Sequence, residues 1–220
     1  MVSISTGNFI KAVYKFQQMG SPDTRPGSIA TELGISPAAA TDMARKLASR
    51  ELLVHEKYKG MRLTPSGKRV ALDIIRKHRL WETFLHDVLG LSMHEIHREA
   101  EMLEHLTSDF LAEKISAYLG HPKTDPHGDP IPDARGEFDT DPGIVVLSEA
   151  TPGKSYELAR LYGSDKEFFD FCQSNQLKVG ITVTVKKQYS KNRLTEIEKG
   201  SSRLLMDKKL SGFIYVREKE

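Results

Sequence analysis

Residues Gly34–Leu47 read "GISPAAATDMARKL", and the order of residue types in this stretch decides the fold. Ser36 followed by Pro37 is a helix start. A serine oxygen accepts from the free N–H groups of a first turn, and proline lacks the N–H which that turn would leave unused. Ala40, Met43 and Leu47 then recur at helical spacing and suit a buried side. Just upstream, "SIATELGIS" predicts a short helix ending at Gly34. Two short helices joined by a tight glycine-containing turn make a helix-turn-helix. Before them, "NFIKAVYKFQQMG" (Asn8–Gly20) spaces Phe9, Ile10, Val13, Tyr14 and Phe16 as one more helix, closed by Gly20, Ser21 and Pro22.

After the second helix comes "LLVHEKYKGMRLTPSGK", in which Leu53–Tyr58 and Met61–Leu63 alternate loosely around Lys59-Gly60. That predicts a short hairpin, the wing of a winged helix. Recognition helices enter the major groove by their N-terminal turns. The outward positions are therefore Ser36, Pro37, Ala38, Ala39, Thr41, Asp42, Arg45 and Lys46. Small Ala38 and Ala39 allow close approach to base edges and thymine methyls. Arg45 and Lys46, with Lys57, Lys59 and Arg62 of the wing, suit phosphates. Residues 1–80 carry a net charge of +8, which favours a polyanion over the other use of this fold, contact with protein.

The next third inverts the sign: residues 81–142 carry −10, and residues 143–220 carry +4. Seven of the eight histidines lie between His78 and His127, inside or beside the acidic third. Thr64-Pro65 starts a long helix through about Leu89, and Ser92 with Glu95 forms a capping box for the next. Within that helix His97–Leu106 reads "HREAEMLEHL". At about 100° per residue, Glu101, Glu104 and His105 share one face with His97, while Glu99 falls on the far side with Arg98. Two carboxylates on one face repel, and a divalent cation removes that cost. An ordinary charged helix face is the plainer reading. One helix earlier, His78 and Glu82 stand at i and i+4. A further helix runs to about Tyr118, and "GHPKTDPHGDPIPDARGEFDTDP" (Gly120–Pro142) reads as a linker rich in proline and glycine. Beyond it "GIVVL", "SYELARLY", "ITVTVKKQY" and "GFIYVRE" read as strands and "DKEFFDFCQSNQL" as a helix, a small β-rich domain.

Composition sets the outer bounds. With 220 residues and 39% hydrophobic content there is room for two or three small cored domains. A single cysteine, Cys172, excludes an intramolecular disulfide and fits a cytoplasmic setting. No N-terminal apolar run resembles a signal peptide, and no stretch approaches the ~20 residues that span a bilayer. The expectation is no membrane partner.

Taken in order, "GISPAAATDMARKL", "HEKYKGMRLTPSGK", "KHRLWE" and "HREAEMLEH" resemble the diphtheria toxin repressor and manganese transport regulator family, in its three-domain branch. The resemblance covers nearly the whole chain. It implies a mainly α protein with a small β domain: a winged helix-turn-helix over 1–64, a helical dimerisation and metal domain with linker over 65–142, and an SH3-like β-barrel over 143–220. It implies a homodimer that binds operator DNA when a divalent metal is bound. It places a primary metal site at Asn8, Glu101, Glu104 and His105, and an ancillary site at His78, Glu82 and His97. Asp125 in "TDPHGD" or Asp165 in "GSDKEF" would complete the latter, with His127 behind them. Two departures stand out: Asn8 replaces the family's usual Met or Asp, and Lys11 stands where short manganese regulators use a bridging Glu. Iron-activated relatives carry sulfur at the place of Glu101, so oxygen here favours Mn2+, with Fe2+ second.

The expected function is thus a metal-dependent, non-enzymatic repressor of metal-uptake genes. The competing readings are a winged-helix regulator sensing an organic ligand and a di-metal carboxylate enzyme. The latter needs Glu-x-x-His on two helices, whereas Glu101 precedes His105 by four positions and His78 precedes Glu82.

Overall fold

The computed structural model describes residues 3–18, 24–56, 60–139, 143–163 and 166–219. The chain divides into two compact units. One takes Met1–Trp81, Ala100–Tyr118 and Ile131–Phe138; the other takes Glu82–Glu99, Leu119–Pro130 and Asp139–Glu220.

The first unit opens with α1 (Ile4–Gln18), α2 (Pro26–Leu33) and α3 (Pro37–Ser49). Gly34 ends α2 in the left-handed region at φ 63°, and its N–H reaches the carbonyls of Ala30 and Thr31. Two residues on, the Ser36 hydroxyl accepts from Ala39 N–H at 3.1 Å and starts α3. This is the expected turn, built by local chemistry alone. Strands β1 (Leu53–Glu56) and β2 (Gly60–Leu63) pair antiparallel from Leu53↔Leu63 to Glu56↔Gly60. Phe9, Ile10, Val13, Ile29, Ala40, Leu47, Leu53, Met61 and Leu63 bury together. They are joined by Ala71, Leu72 and Ile75 of the long helix α4 (Pro65–Asp87). In α3 the buried stripe is Ala40, Ala44 and Leu47, while Met43 is half-buried and packs against the core edge.

Helix α4 stops at Asp87, two residues before the expected Leu89. Gly90 at φ 71° sends its N–H to the His86 carbonyl, and Leu91 N–H reaches back to Leu85. That pair of bonds satisfies the carbonyls a helix end leaves open. Helix α5 (Met93–Leu103) starts on the expected capping box, with the Ser92 N–H and hydroxyl both on the Glu95 carboxylate at 2.9 and 2.6 Å. Helix α6 (Asp109–Tyr118) follows.

The proline-rich segment is ordered by aspartate turns. Asp133 accepts from the N–H groups of Arg135 and Glu137 at 2.8 and 2.9 Å, and Asp125 accepts likewise from His127 and Asp129 at 2.9 Å. A bridge pairs Thr124 with Pro130.

The second unit is built on a six-stranded antiparallel sheet of order β3-β8-β4-β5-β6-β7. Its strands are β3 (Ile144–Val146), β4 (Ser155–Leu161), β5 (Thr182–Tyr189), β6 (Leu194–Lys199), β7 (Ser202–Asp207) and β8 (Ile214–Glu218). Helices α7 (Lys166–Ser174) and α8 (Lys208–Gly212) accompany it. Leu147, Leu158, Leu161, Phe168, Val185, Ile197, Met206, Ile214 and Val216 form its core. The β6–β7 hairpin was not expected. The run "LTEIEK" buries Thr195 and Ile197, and "SRLLMD" buries Met206, so few apolar residues mark either strand. Among the described residues no helix is long and apolar enough to cross a membrane.

Candidate metal centre

In the second unit the Asp125 turn is held from several sides. Asp125 N–H bonds the Asp129 carbonyl at 3.0 Å, and Gly128 N–H bonds the Asp125 carbonyl at 2.9 Å. Gly128 sits at φ 85°, so close to the Ala159 carbonyl oxygen that any side chain there would collide with it. The His127 carbonyl accepts from Leu161 N–H at 2.8 Å, which straps the turn to β4. The His127 ring packs against Phe169 of α7, with centroids 5.1 Å apart. This backing turns the imidazole toward acid: Nδ1 lies 3.8 Å from Glu82 Oε2 and 3.9 Å from Asp125 Oδ1. His97 Nδ1 lies 3.1 Å from Glu82 Oε1 on its more exposed flank.

Glu82, Asp125 and His127 are all buried, and one ligand atom from each lies within 4.8 Å of the others. Burial by itself disfavours the charged imidazole of His127. The nearby Glu82 carboxylate, and then Asp125 and Asp129, outweigh it, so the pKa is raised above the ordinary histidine value. The carboxylates of this pocket thus favour the positive charge of a proton on the ring. Donors bound about 2.1 Å from one ion stand at most roughly 4.2 Å apart. A contraction of a few tenths of an ångström therefore suffices for one ion to replace that proton. Two carboxylates and an imidazole are hard or borderline donors and fit a divalent ion such as Mn2+ or Fe2+.

A second cluster lies in the first unit. Helix α5 ends at Leu103, so Glu104 and His105 stand in the turn that follows and not on the helix proper. Glu104 N–H still reaches the Ala100 carbonyl at 2.9 Å, which keeps its side chain on the face read from the helical period. His105 Nε2 lies 2.6 Å from Asn8 Oδ1 and 3.0 Å from Glu104 Oε1. Burial pushes the His105 pKa below its ordinary value, with smaller opposing influence from Glu104. Glu104 Oε2 lies 2.6 Å from His78 Nδ1. Lys11 Nζ donates to Glu101 Oε1 and Glu104 Oε1, both at 2.7 Å. Gly7 lets the ring of His105 approach α1: a Cβ there would sit 2.6 Å from Cε1 and 2.9 Å from Nδ1.

The structure thus gathers Asn8, His78, Glu101, Glu104 and His105 in one cluster, and Glu82, His97 and Asp125 in the other. His127, ranked behind Asp125 in the sequence, is central to the second. Its signal was the "DPHGD" spacing, an aspartate turn that returns the imidazole beside the carboxylate. Asp165 lies outside the described residues. On the winged helix, Ser36, Pro37, Ala38, Ala39, Asp42, Arg45, Lys46 and Arg62 are exposed. Thr41 is half-buried, its hydroxyl donating to the Pro37 carbonyl at 2.8 Å. Arg45 pairs with Asp42 at 3.2 Å. Lys59 lies outside the described residues.

Known proteins resemble this chain in sequence and fold. The profile described as "Iron dependent repressor, N-terminal DNA binding domain" matches residues 1–61. The one described as "Iron dependent repressor, metal binding and dimerisation domain" matches residues 64–133. The diphtheria toxin repressor of Corynebacterium diphtheriae is 30% identical over 152 residues, 67% of either chain. The chain belongs to the diphtheria toxin repressor family. Family members of known structure extend the likeness through the β domain. A manganese-dependent transcriptional repressor in complex with manganese is 31% identical and superposes with a TM-score of 0.90, over 97% of this chain and 100% of that one. ScaR with bound Cd2+ is 32% identical, with a TM-score of 0.81 over 97% and 99% of the two chains. Members of the family are metal-dependent transcriptional repressors, and this chain shares their helical DNA-binding and dimerisation domains and their C-terminal antiparallel sheet.

Proposed function

We propose that this chain is a cytoplasmic, non-enzymatic repressor that binds operator DNA as a homodimer and controls metal-uptake genes in response to Mn2+, with Fe2+ as the second choice. Its working parts are 1–64 for DNA, 65–142 for metal and dimerisation, and 143–220 as the β domain. The observation that carries this reading is the buried trio of Glu82, Asp125 and His127. Bound there, an ion supplies the two positive charges that neutralise the two carboxylates. The donors contain oxygen and nitrogen but no sulfur, which supports manganese over softer ions. Such a site cannot select manganese by tightness, since Mn2+ binds more weakly than Fe2+ to most donor sets; geometry and supply must do so.

Glu82 stands on α4, and the same continuous helix carries Ala71, Leu72 and Ile75 of the winged-helix core. A pull on Glu82 is therefore delivered to an element that the DNA-binding core is built around. Exposed Met102, Leu106, Phe110 and Leu111, at the end of α5 and on α6, offer an apolar face for the second protomer. Two recognition helices must then meet successive major grooves about 34 Å apart.

The test is Mn2+ titration of DNA binding, using duplexes selected by the metal-loaded protein. Asp125→Ala and His127→Ala should each lose Mn2+-stimulated binding while remaining folded. Unchanged stimulation in both variants would sink the assignment.

A further inference from the structure

The acidic side chains nearest α1 already hold a cation. Lys11 lies one turn beyond Asn8 on α1, between the buried neighbours Ile10 and Ala12. Its ammonium donates to Glu101 Oε1 and Glu104 Oε1 at the same 2.7 Å. The Glu104 side chain is 0% exposed, and that of Lys11 19%. A protonated amine has three donors and no lone pair, so it fills a carboxylate cluster without being able to ligate a metal. Two further contacts close the cluster: His78 Nδ1 on Glu104 Oε2 and His105 Nε2 on Asn8 Oδ1.

An ion bound to both Oε1 atoms would have to stand where the Lys11 ammonium stands. Displacing that ammonium forfeits two charge-assisted bonds of 2.7 Å, one of them to a wholly buried carboxylate, which the ion would have to replace. Leaving it in place sets a divalent charge against a like charge at contact distance. The charge count agrees. Glu101 and Glu104 bring two negative charges, Lys11 cancels one, and a divalent ion would overshoot neutrality.

We infer that Lys11 is a built-in substitute for a metal ion in the Asn8–Glu101–Glu104–His105 cluster. The tie between α1 and the end of α5 is then a permanent salt bridge. Of the two clusters in the described residues, this one then takes no divalent ion, and only the Glu82–Asp125–His127 centre does. The wild-type count of one rests on the proposed Glu82–Asp125–His127 centre, whereas the claim about Lys11 concerns different residues and is read from the change in count.

The experiment counts Mn2+ per folded chain by equilibrium dialysis and elemental analysis, on the full-length protein and its variants. The wild type should bind one ion. Glu101→Gln, a half-exposed position that should tolerate the change, should leave that number unaltered, as should Glu104→Gln where circular dichroism shows it folded. Lys11→Met keeps the stem, removes the charge and should raise the count by one. Lys11→Arg, which keeps a cation, should not raise it. Two ions on the wild type, one of them lost with Glu101→Gln, would overturn the inference and leave the proposed function standing. Failure of folded Lys11→Met to gain an ion would also overturn it. A wild type with no ion, and a Lys11→Met variant with one, would support the inference and overturn the proposed centre instead.

Discussion

Gly67 shows how much a single residue constrains. A side chain there would collide with the Leu52 carbonyl oxygen, which also accepts the Thr64 N–H at 3.1 Å. The joint between the strands and α4 has no room for a methyl group. Gly67→Ala should cost about 1–3 kcal/mol, as overpacking typically does, read as a lower urea midpoint with unchanged slope; an unshifted midpoint would show the joint can yield. His127 makes a different kind of prediction. Its acidic neighbours raise its pKa, so the proton is held at the more acidic end and lost only as pH rises through the raised value. Metal must displace that proton. Mn2+ affinity should therefore rise with pH by up to roughly tenfold per unit until that value is passed. Calorimetry in buffers of different ionisation enthalpy would count the released proton, and no release would mean that His127 is not a ligand.

Among elements, the recognition helix and its wing were the most legible. Gly34, Ser36 and Pro37 act on their own neighbours, so their capping is the same in the sequence and in the fold. The wing strands pair as read, and Arg62 on β2 points outward beside buried Met61 and Leu63. In the proposed function it meets phosphate. Arg62→Ala should weaken binding about equally on all DNA sequences and lower the salt slope by about one. A changed sequence preference at the same slope would mean base readout instead. The β6–β7 hairpin was not legible for the opposite reason. Thr195 and Ile197 of β6 alternate with charged residues and β7 buries Met206 alone, so only the pairing of β6 with β5 and of β7 with β6 makes these runs the sheet's edge.

For the whole molecule, the exposed apolar side chains at the end of α5 and on α6 are the face that the proposed function gives to the second protomer. Leu106 is 73% exposed, as is Phe110, and neither has a reason to be there in an isolated chain. Leu106→Glu should give a monomer by sedimentation and cost operator affinity more than about 100-fold, because the two half-sites are no longer held by one particle. A dimer of undiminished affinity would place the interface elsewhere.

The sequence alone determined the helix-turn-helix, the capping box before α5, the turn-rich segment and the alternation of basic and acidic thirds. Each rests on neighbours a few positions apart, where periodicity and capping act. It also named nearly all the residues of both clusters, since Glu and His at helical spacing mark a face. What only the tertiary structure decided is which of these residues meet. Helical spacing places Glu101 and Glu104 on one face but cannot say that Lys11, some ninety residues away in sequence, lands between them. Nor can it say that an aspartate turn strapped to β4 returns His127 to Glu82. The physical reason is that charge and period are properties of single residues and short segments, whereas the balance of charge in a buried site belongs to the elements that packing brings together.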